Sequence, residues 1–354
     1  MGRRFMSGDR TPPVQHEITK PSPLLDESGV LIQTGWARQP LLDCNMEMAR
    51  TIGLRPLQRF RAKRWDYYGL TTPEGYFSIT LADLGYAGSV FVYFVDFADA
   101  SYHEESVTVP LGRGITLARN SNAGDCTYSS KHVQVEFLVE KDARHVKVRW
   151  DKFDGVPLHA DLRFSLPADH ESTVIVTPIQ GKRFYYNRKV NAMPVEGTLR
   201  IGDRANVMSP ESSLGNLDWG RGVWEYNSFW VWASASGFLG DGRRVGLNMG
   251  HGFGDTSAAT ENTLLVDGRI HKLGDMAIEY EASDFMRPWQ MRSARVDLVF
   301  TPFVERVAET QLVAIQSEVH QMFGHYEGSV LADDGESVQI EGIIGWAEDH
   351  HARW

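Results

Sequence analysis

Between Ser89 and Trp150 the dominant signal is an alternation of apolar and polar side chains. Val133, Val135, Phe137 and Val139 alternate with His132, Gln134, Glu136 and Leu138, and Val146, Val148 and Trp150 alternate with His145, Lys147 and Arg149. Successive side chains of a strand point to opposite faces, so this period of two predicts half-buried strands. The polar stretch Glu140-Lys141-Asp142-Ala143-Arg144 between them has the length of a hairpin connection. Runs of the same kind occur at 89–97, 160–167, 172–179, 229–235, 294–302, 312–324 and 336–348. Short turn-like pieces join many of them, including Asp154-Gly155, Asp241-Gly242, Asp267-Gly268 and Asp334-Gly335. Arg64-Trp65-Asp66-Tyr67-Tyr68-Gly69 and Gly75-Tyr76-Phe77-Ser78-Ile79-Thr80 add two strands whose aromatic side chains are expected to plug one end of a barrel, with Asp66 or Arg64 supplying their polar partners.

Helical periodicity is scarce. Pro40 to Phe60 permits one or two short turns, broken at Gly53 and Pro56. Many short strands joined by Asp-Gly turns predict an all-β protein whose antiparallel sheets close on themselves rather than expose raw edges. A chain of 354 residues accommodates two such units. The expected architecture is two calycin- or lipocalin-like barrels: a flexible leader over 1–22, an N-terminal barrel with an accessory segment over 23–170, and a C-terminal barrel over 171–354. The boundary is read at Pro167 to Glu171, where one apolar strand ends and another begins at Thr173. No sequence repeat relates the halves.

Charge and composition narrow the partners. Forty-six acidic residues against 36 basic ones give a net charge of −10 without long blocks, which argues against a nucleic-acid partner. No apolar run approaches the length of a membrane span. Arg3, Arg4 and Arg10 are followed by a polar, proline-rich stretch rather than the apolar core of a signal peptide. Cys44 and Cys126 lie far apart, which fits a reducing compartment. Together these features predict a cytoplasmic protein.

Candidate chemistry concentrates between Leu217 and Asn262. Four of the ten tryptophans (Trp219, Trp224, Trp230, Trp232) fall there, interleaved with Asp218, Arg221 and Glu225, before a glycine-rich run carrying Asn248, His251 and Asp255. This mixture suits a mostly apolar pocket with a few convergent polar groups. The ligand-binding set is Trp219, Arg221, Trp224, Trp230, Trp232, Asn248 and Asp255. Trp230 and Trp232, two apart on one strand, share a face opposite Phe229, Val231 and Ala233. Asp218 and Arg221 are read either as a structural clamp or as an acid facing a cavity; if Arg221 pairs with Asp218, Glu225 is the better acid. His251, flanked by glycines, is a candidate base, giving the catalytic set Asp218, Glu225 and His251.

Other chemistries lack support in the sequence. The glycine loop 246–255 has no Walker lysine and no following helix. His350 and His351 beside Glu348 and Asp349 point alternately to opposite faces of a strand, so no metal is assigned. No serine sits in a G-x-S-x-G elbow. No cofactor is expected. Two functions remain: binding of a hydrophobic small molecule such as a lipid, isoprenoid or polyketide, centred on the second barrel, or cofactor-independent hydration, isomerisation or cyclisation of such a ligand. They separate on whether an ionisable side chain projects into the aromatic cavity.

Glu17-Ile18-Thr19, Pro23 to Asp26, Gly35 to Leu41, Asn45 and Lys63 to Tyr68, together with Gln321 to Gly328 and Gly345 to Trp354, resemble the bacterial family known as domain of unknown function 2804. The resemblance covers nearly all of the chain after the leader. The β-rich layout and Asp-Trp-Gly-x-Gly at 218–222 more distantly resemble the two-barrel, lipocalin-related proteins that include carotenoid hydratase-like and AttH-like members. That likeness implies a hydrophobic ligand in or between barrels and, in some relatives, hydratase, isomerase or cyclase activity. Their motif normally carries a histidine where this chain has Trp219.

Overall fold

Val133–Val139 and Ala143–Phe153 form the hairpin that the alternation predicts, with Val133 opposite Trp150 and Val139 opposite Arg144. The computed structural model describes residues 3–4, 14–52, 55–312 and 315–353. Its strands assemble into a 14-stranded and a 10-stranded sheet, both antiparallel and each curled into a half-barrel around its own apolar core, and a small parallel pair of Ser22–Pro23 with Leu42–Asp43. The protein is therefore all-β, built from two barrel-like halves. Among the described residues the only helical turns are the 3-10 segments Met46–Met48 and Arg55–Phe60. The second lies just past the expected break at Gly53, which is itself outside the described residues. Among the described residues no helix is long and apolar enough to cross a membrane.

In the first sheet a meander of Ala62–Thr71, Gly75–Asp83, Ala87–Asp96 and Ser101–Pro110 pairs through Leu214–Val223 with the long strand Arg183–Ile201. That strand bulges between Val190 and Met193. Residues before the bulge pair with Thr173–Ile179, and those after it with Val156–Ser165. The second sheet contains three strands of 17 residues, Val296–Leu312, Ile315–Leu331 and Ser337–Arg353, followed in space by Asn227–Phe238 and Arg244–His251. The chain changes sheets between Val223 and Asn227, so the strands over 173–223 hydrogen-bond with the first sheet.

Residues 14–18 tie the N-terminal segment to the body, although they fall within the expected flexible leader. Gln15 bonds the Leu273 carbonyl and the Thr260 amide, His16 N–H donates to Ala258, and Ile18 is buried. Residues 1–2 and 5–13 of that leader lie outside the described residues.

The two half-barrels meet by their outer faces. Leu217, Trp219 and Val223 face the first core, and Val231, Ala233 and Ala235 the second. The alternate residues meet between the sheets, where Tyr67, Tyr76, Tyr93 and Val95 of one pack against Trp232, Val304, Phe323 and Trp346 of the other. One strand changes its allegiance partway. In Val296–Leu312, Val296, Leu298 and Phe300 face the second core, whereas after a bulge between Pro302 and Val304 the even-numbered Val304 and Arg306 face the first sheet.

Candidate ligand-binding cleft

A cavity of about 350 Å3 lies in the seam between the sheets. Trp65, Tyr185, Trp224, Trp230 and Phe253 form its aromatic end: Trp65 stacks on Tyr185 at 5.7 Å and meets Trp224 edge-on at 5.0 Å, while Phe253 sits 5.0 Å from Trp224 and 5.5 Å from Trp230. Backbone sequence makes room for these rings. Gly220 shares the cleft face with Asp218, and a Cβ there would stand 2.0 Å from the Trp65 ring.

The polar groups in this wall are buried and mutually bonded. Asp218 accepts from Asn187 Nδ2 at 2.5 Å and Trp65 Nε1 at 3.1 Å, with Lys189 Nζ at 3.5 Å. Lys189 also lies 3.5 Å from Glu261 and 3.6 Å above the Trp232 ring. Glu261 fits because position 250 is glycine: a Cβ there would be 2.1 Å from its carboxylate. Asn248 accepts from Trp232 Nε1 at 2.8 Å and donates to Glu261, so it fixes two cleft residues from behind.

On the second sheet, beside Trp232, Glu348 accepts from Trp230 Nε1 at 3.1 Å and from Gln321 Nε2 at 3.3 Å. Burial pushes its carboxyl up to about 7, against the opposing pull of the Trp230 hydrogen bond, Lys189 and Arg306. Arg306 pairs with Glu104 and donates to Gln321 Oε1, which also accepts from Tyr93. With Oε1 taken by two donors, the Gln321 amide is turned so that its NH2 faces Glu348. His350 lies 3.9 Å from the Trp230 ring and 2.9 Å from Ser317 Oγ; burial, with His351 and Arg306 nearby, pushes it down to about 3, so its imidazole is neutral at physiological pH.

Several sequence expectations need correction. Asp218 and Arg221 form no clamp, because an odd spacing on a strand puts them on opposite faces. Arg221 turns into the first half-barrel, pairs with Asp66 at 2.8 Å and covers Trp219 at 4.4 Å. Trp219 is core there, edge-on to Tyr186 at 5.2 Å, and neither residue reaches the cleft. Glu225 is exposed in the connection between sheets. His251 pairs opposite Val231, on the second-core side, and lies outside the cavity wall. Asp255 is exposed and caps its own turn through Ser257. Trp65 and Tyr67 do not plug a barrel end but line the cleft, and the partner of Trp65 is Asp218 rather than Asp66 or Arg64.

The structure does bring Asp218, Trp224, Trp230 and Trp232 to the cavity, with Asn248 behind them. Sequence reasoning missed Lys189, Glu261, Arg306 and Gln321, and considered Glu348 and His350 only as metal ligands. Among the described residues no three His, Cys, Asp or Glu side chains gather in metal-binding geometry.

Residues 15–354 match the family described as domain of unknown function (DUF2804), and the chain belongs to that family. No curated protein matches it in sequence. Among solved structures it is similar to kievitone hydratase from Nectria haematococca, at 11% identity and a TM-score of 0.48, over 81% of this chain and 88% of that one. It is also similar to a putative AttH from Nitrosomonas europaea, at 14% identity and a TM-score of 0.41, over 82% of this chain and 92% of the other. A third is CghA crystallised with Sch210972, at 9% identity and a TM-score of 0.43, over 93% and 97% of the two chains. At these scores the likenesses carry no inference about chemistry.

Proposed function

We propose that the cleft between the sheets binds a hydrophobic small molecule of the lipid, isoprenoid or polyketide kind. One observation carries this reading: a cavity of about 350 Å3 walled by aromatic rings from both sheets, with a few fixed polar groups among them. Aromatic side chains give large, stiff apolar contact, and the polar groups orient what is bound. The site sits between the half-barrels, so each supplies one wall. The test is native mass spectrometry and organic extraction of protein purified from its own host. An apolar compound that co-purifies and leaves on denaturation is the expected result; repeated failure to find one, with no quenching of tryptophan fluorescence by apolar probes, overturns the reading.

A second reading, proton transfer on the bound ligand without a cofactor, is favoured by Glu348. Its carboxyl is buried against Trp230 and pushed up to about 7, where acid and base forms coexist at neutral pH. In this reading the acid form protonates a carbon–carbon double bond, leaving a cation on the adjacent carbon beside the π faces of the tryptophans. The carboxylate then takes a proton from a neighbouring carbon, completing an isomerisation, or from water adding to the cation, completing a hydration. Of the acid and base candidates read from sequence, Asp218 keeps a place beside the ligand, while Glu225 and His251 give theirs up to Glu348. Deuterium incorporation into the extracted ligand, incubated with the protein in heavy water, tests it. Incorporation abolished by Glu348→Gln supports the reading, and incorporation unaffected by that substitution removes Glu348 from it.

A further inference from the structure

The interior of the first half-barrel carries charge that its own residues do not balance. Arg144 and Arg188 face this interior from the strands Ala143–Phe153 and Arg183–Ile201, and are 5% and 3% exposed. Their hydrogen bonds converge on one atom: Arg144 Nη2 donates to the Ser121 carbonyl at 3.0 Å and Arg188 Nη1 to the same oxygen at 3.4 Å. Their other bonds are also to neutral groups, Arg144 to the Ala143 carbonyl and Arg188 Nε to Ser172 Oγ. A third arginine in this interior, Arg221, takes the carboxylate of Asp66. The groups acting on Arg188 besides burial are Arg144, Tyr186 and Tyr68, with no carboxylate among them.

Two adjacent guanidinium groups withdrawn from water, neither with a carboxylate partner among the described residues, are each costly to desolvate and repel one another. A guanidinium does not escape by losing its proton. Arg188, pushed down to about 9 by burial and by Arg144, remains charged at neutral pH. A second unsatisfied group lies at the same place: Ser121, 7% exposed, has no hydrogen-bond partner for its hydroxyl. Donors that converge and carry like charge are the complement of an anion.

The geometry points to a small anion, a halide or a carboxylate group, held inside the first half-barrel between Arg144 and Arg188 with the Ser121 hydroxyl as a further donor. This site is separate from the cleft. It faces the first core, on the opposite side of the sheet from Lys189 and Asp218. Both guanidinium groups lie within hydrogen-bonding reach of the Ser121 carbonyl, so an anion seated beside that oxygen would have both within reach and would supply the charge that the interior lacks.

The test uses the full chain. Crystals soaked in sodium bromide are expected to show an anomalous peak in contact with both guanidinium groups. In solution, the protein is expected to broaden the chloride NMR line, and Arg144→Met/Arg188→Met is expected to lose that broadening. Displacement of chloride by acetate assigns the site to carboxylates as well as halides, whereas acetate without effect restricts it to halides. No bromide between the two guanidinium groups of the wild-type protein overturns the proposal, as does chloride broadening unchanged in the double variant. The bromide measurement needs no substitution, so a variant that fails to fold leaves the test intact.

Discussion

Trp230 donates its indole N–H to the carboxylate of Glu348 at 3.1 Å, although the strand register sets Glu348 opposite Trp232 and Trp230 opposite His350. The bond therefore runs diagonally across the ladder, and it fixes an acid against the face of the cleft that is richest in rings. The strand pair supplies the wall and its buried acid together.

That placement has a pH signature. The Glu348 carboxyl is raised in the folded protein, from an ordinary 4.5 to about 7. The folded state thus holds this proton more tightly than the unfolded chain does. Its contribution to stability is full below about 4.5 and is lost as the pH rises through about 7. Glu348→Gln removes the titration, so the variant should gain on the wild type by an amount on the order of 3 kcal/mol between pH 4 and pH 8. Urea unfolding at several pH values measures this; a stability difference independent of pH would show that Glu348 titrates normally.

Trp230→Ala and Trp232→Ala should each weaken binding of an apolar ligand by more than about tenfold. Each should also cost less stability than Trp219→Ala, which removes a close-packed core ring and should cost about 3–5 kcal/mol. Thermal melts and tryptophan-quenching titrations give the comparison. If both cleft variants melt as low as Trp219→Ala while the folded fraction binds ligand normally, the aromatic seam is core and the ligand site lies elsewhere.

Gly220→Ala places a methyl group 2.0 Å from the Trp65 ring. The ring must move, and its hydrogen bond to Asp218 goes with it. Overpacking of this kind costs about 1–3 kcal/mol. The variant should fold but be destabilised and lose ligand affinity, whereas Gly240→Ala, where nothing lies within 4 Å, should keep both stability and affinity. A crystal structure of Gly220→Ala with Trp65 unmoved would contradict this account.

Lys189 is the cation between Asp218 and Glu261, all three largely withdrawn from water. Lys189→Met leaves two carboxylates close together and should cost about 3–5 kcal/mol. Adding Asp218→Asn should recover part of that loss, which a double-mutant cycle on urea unfolding detects as non-additivity. Strict additivity would mean that the two side chains do not interact.

The all-β architecture is legible in the sequence because its signal is local: the alternation over 132–150 needs only neighbours to be read, and it forms the pairing it predicts. The same rule already contained the correction at Asp218 and Arg221, since residues three apart on a strand cannot share a face. Applied to Trp230 and Trp232, it places them together on the cleft side. Which face of a strand meets a core and which meets the other sheet is not local information. Glu348 draws its partners from Trp230 and Gln321 on two other strands, and Lys189 draws its own from Asp218 and Glu261. No spacing in the sequence brings those residues together. Nor does composition reveal that the interior of the first half-barrel, with Arg144, Arg188 and Arg221 against Asp66, holds more guanidinium than carboxylate, because the chain as a whole is acidic.

The ladder just beyond the bulge at Phe303 gives chain length, rather than residue type, control over the charge of the cleft. One residue gained or lost there reverses which side chains point where for the remainder of the strand. With Val304 held opposite Phe323, loss of Glu305 passes the place opposite Gln321, now filled by Arg306, to Val307, and one residue inserted after Val304 passes it to Glu305. A cation that orients Gln321 would then be exchanged for a carboxylate or a methyl-bearing surface without a single substitution. Insertions and deletions at this one point are therefore a direct route by which members of a shared fold could come to accept ligands of different polarity.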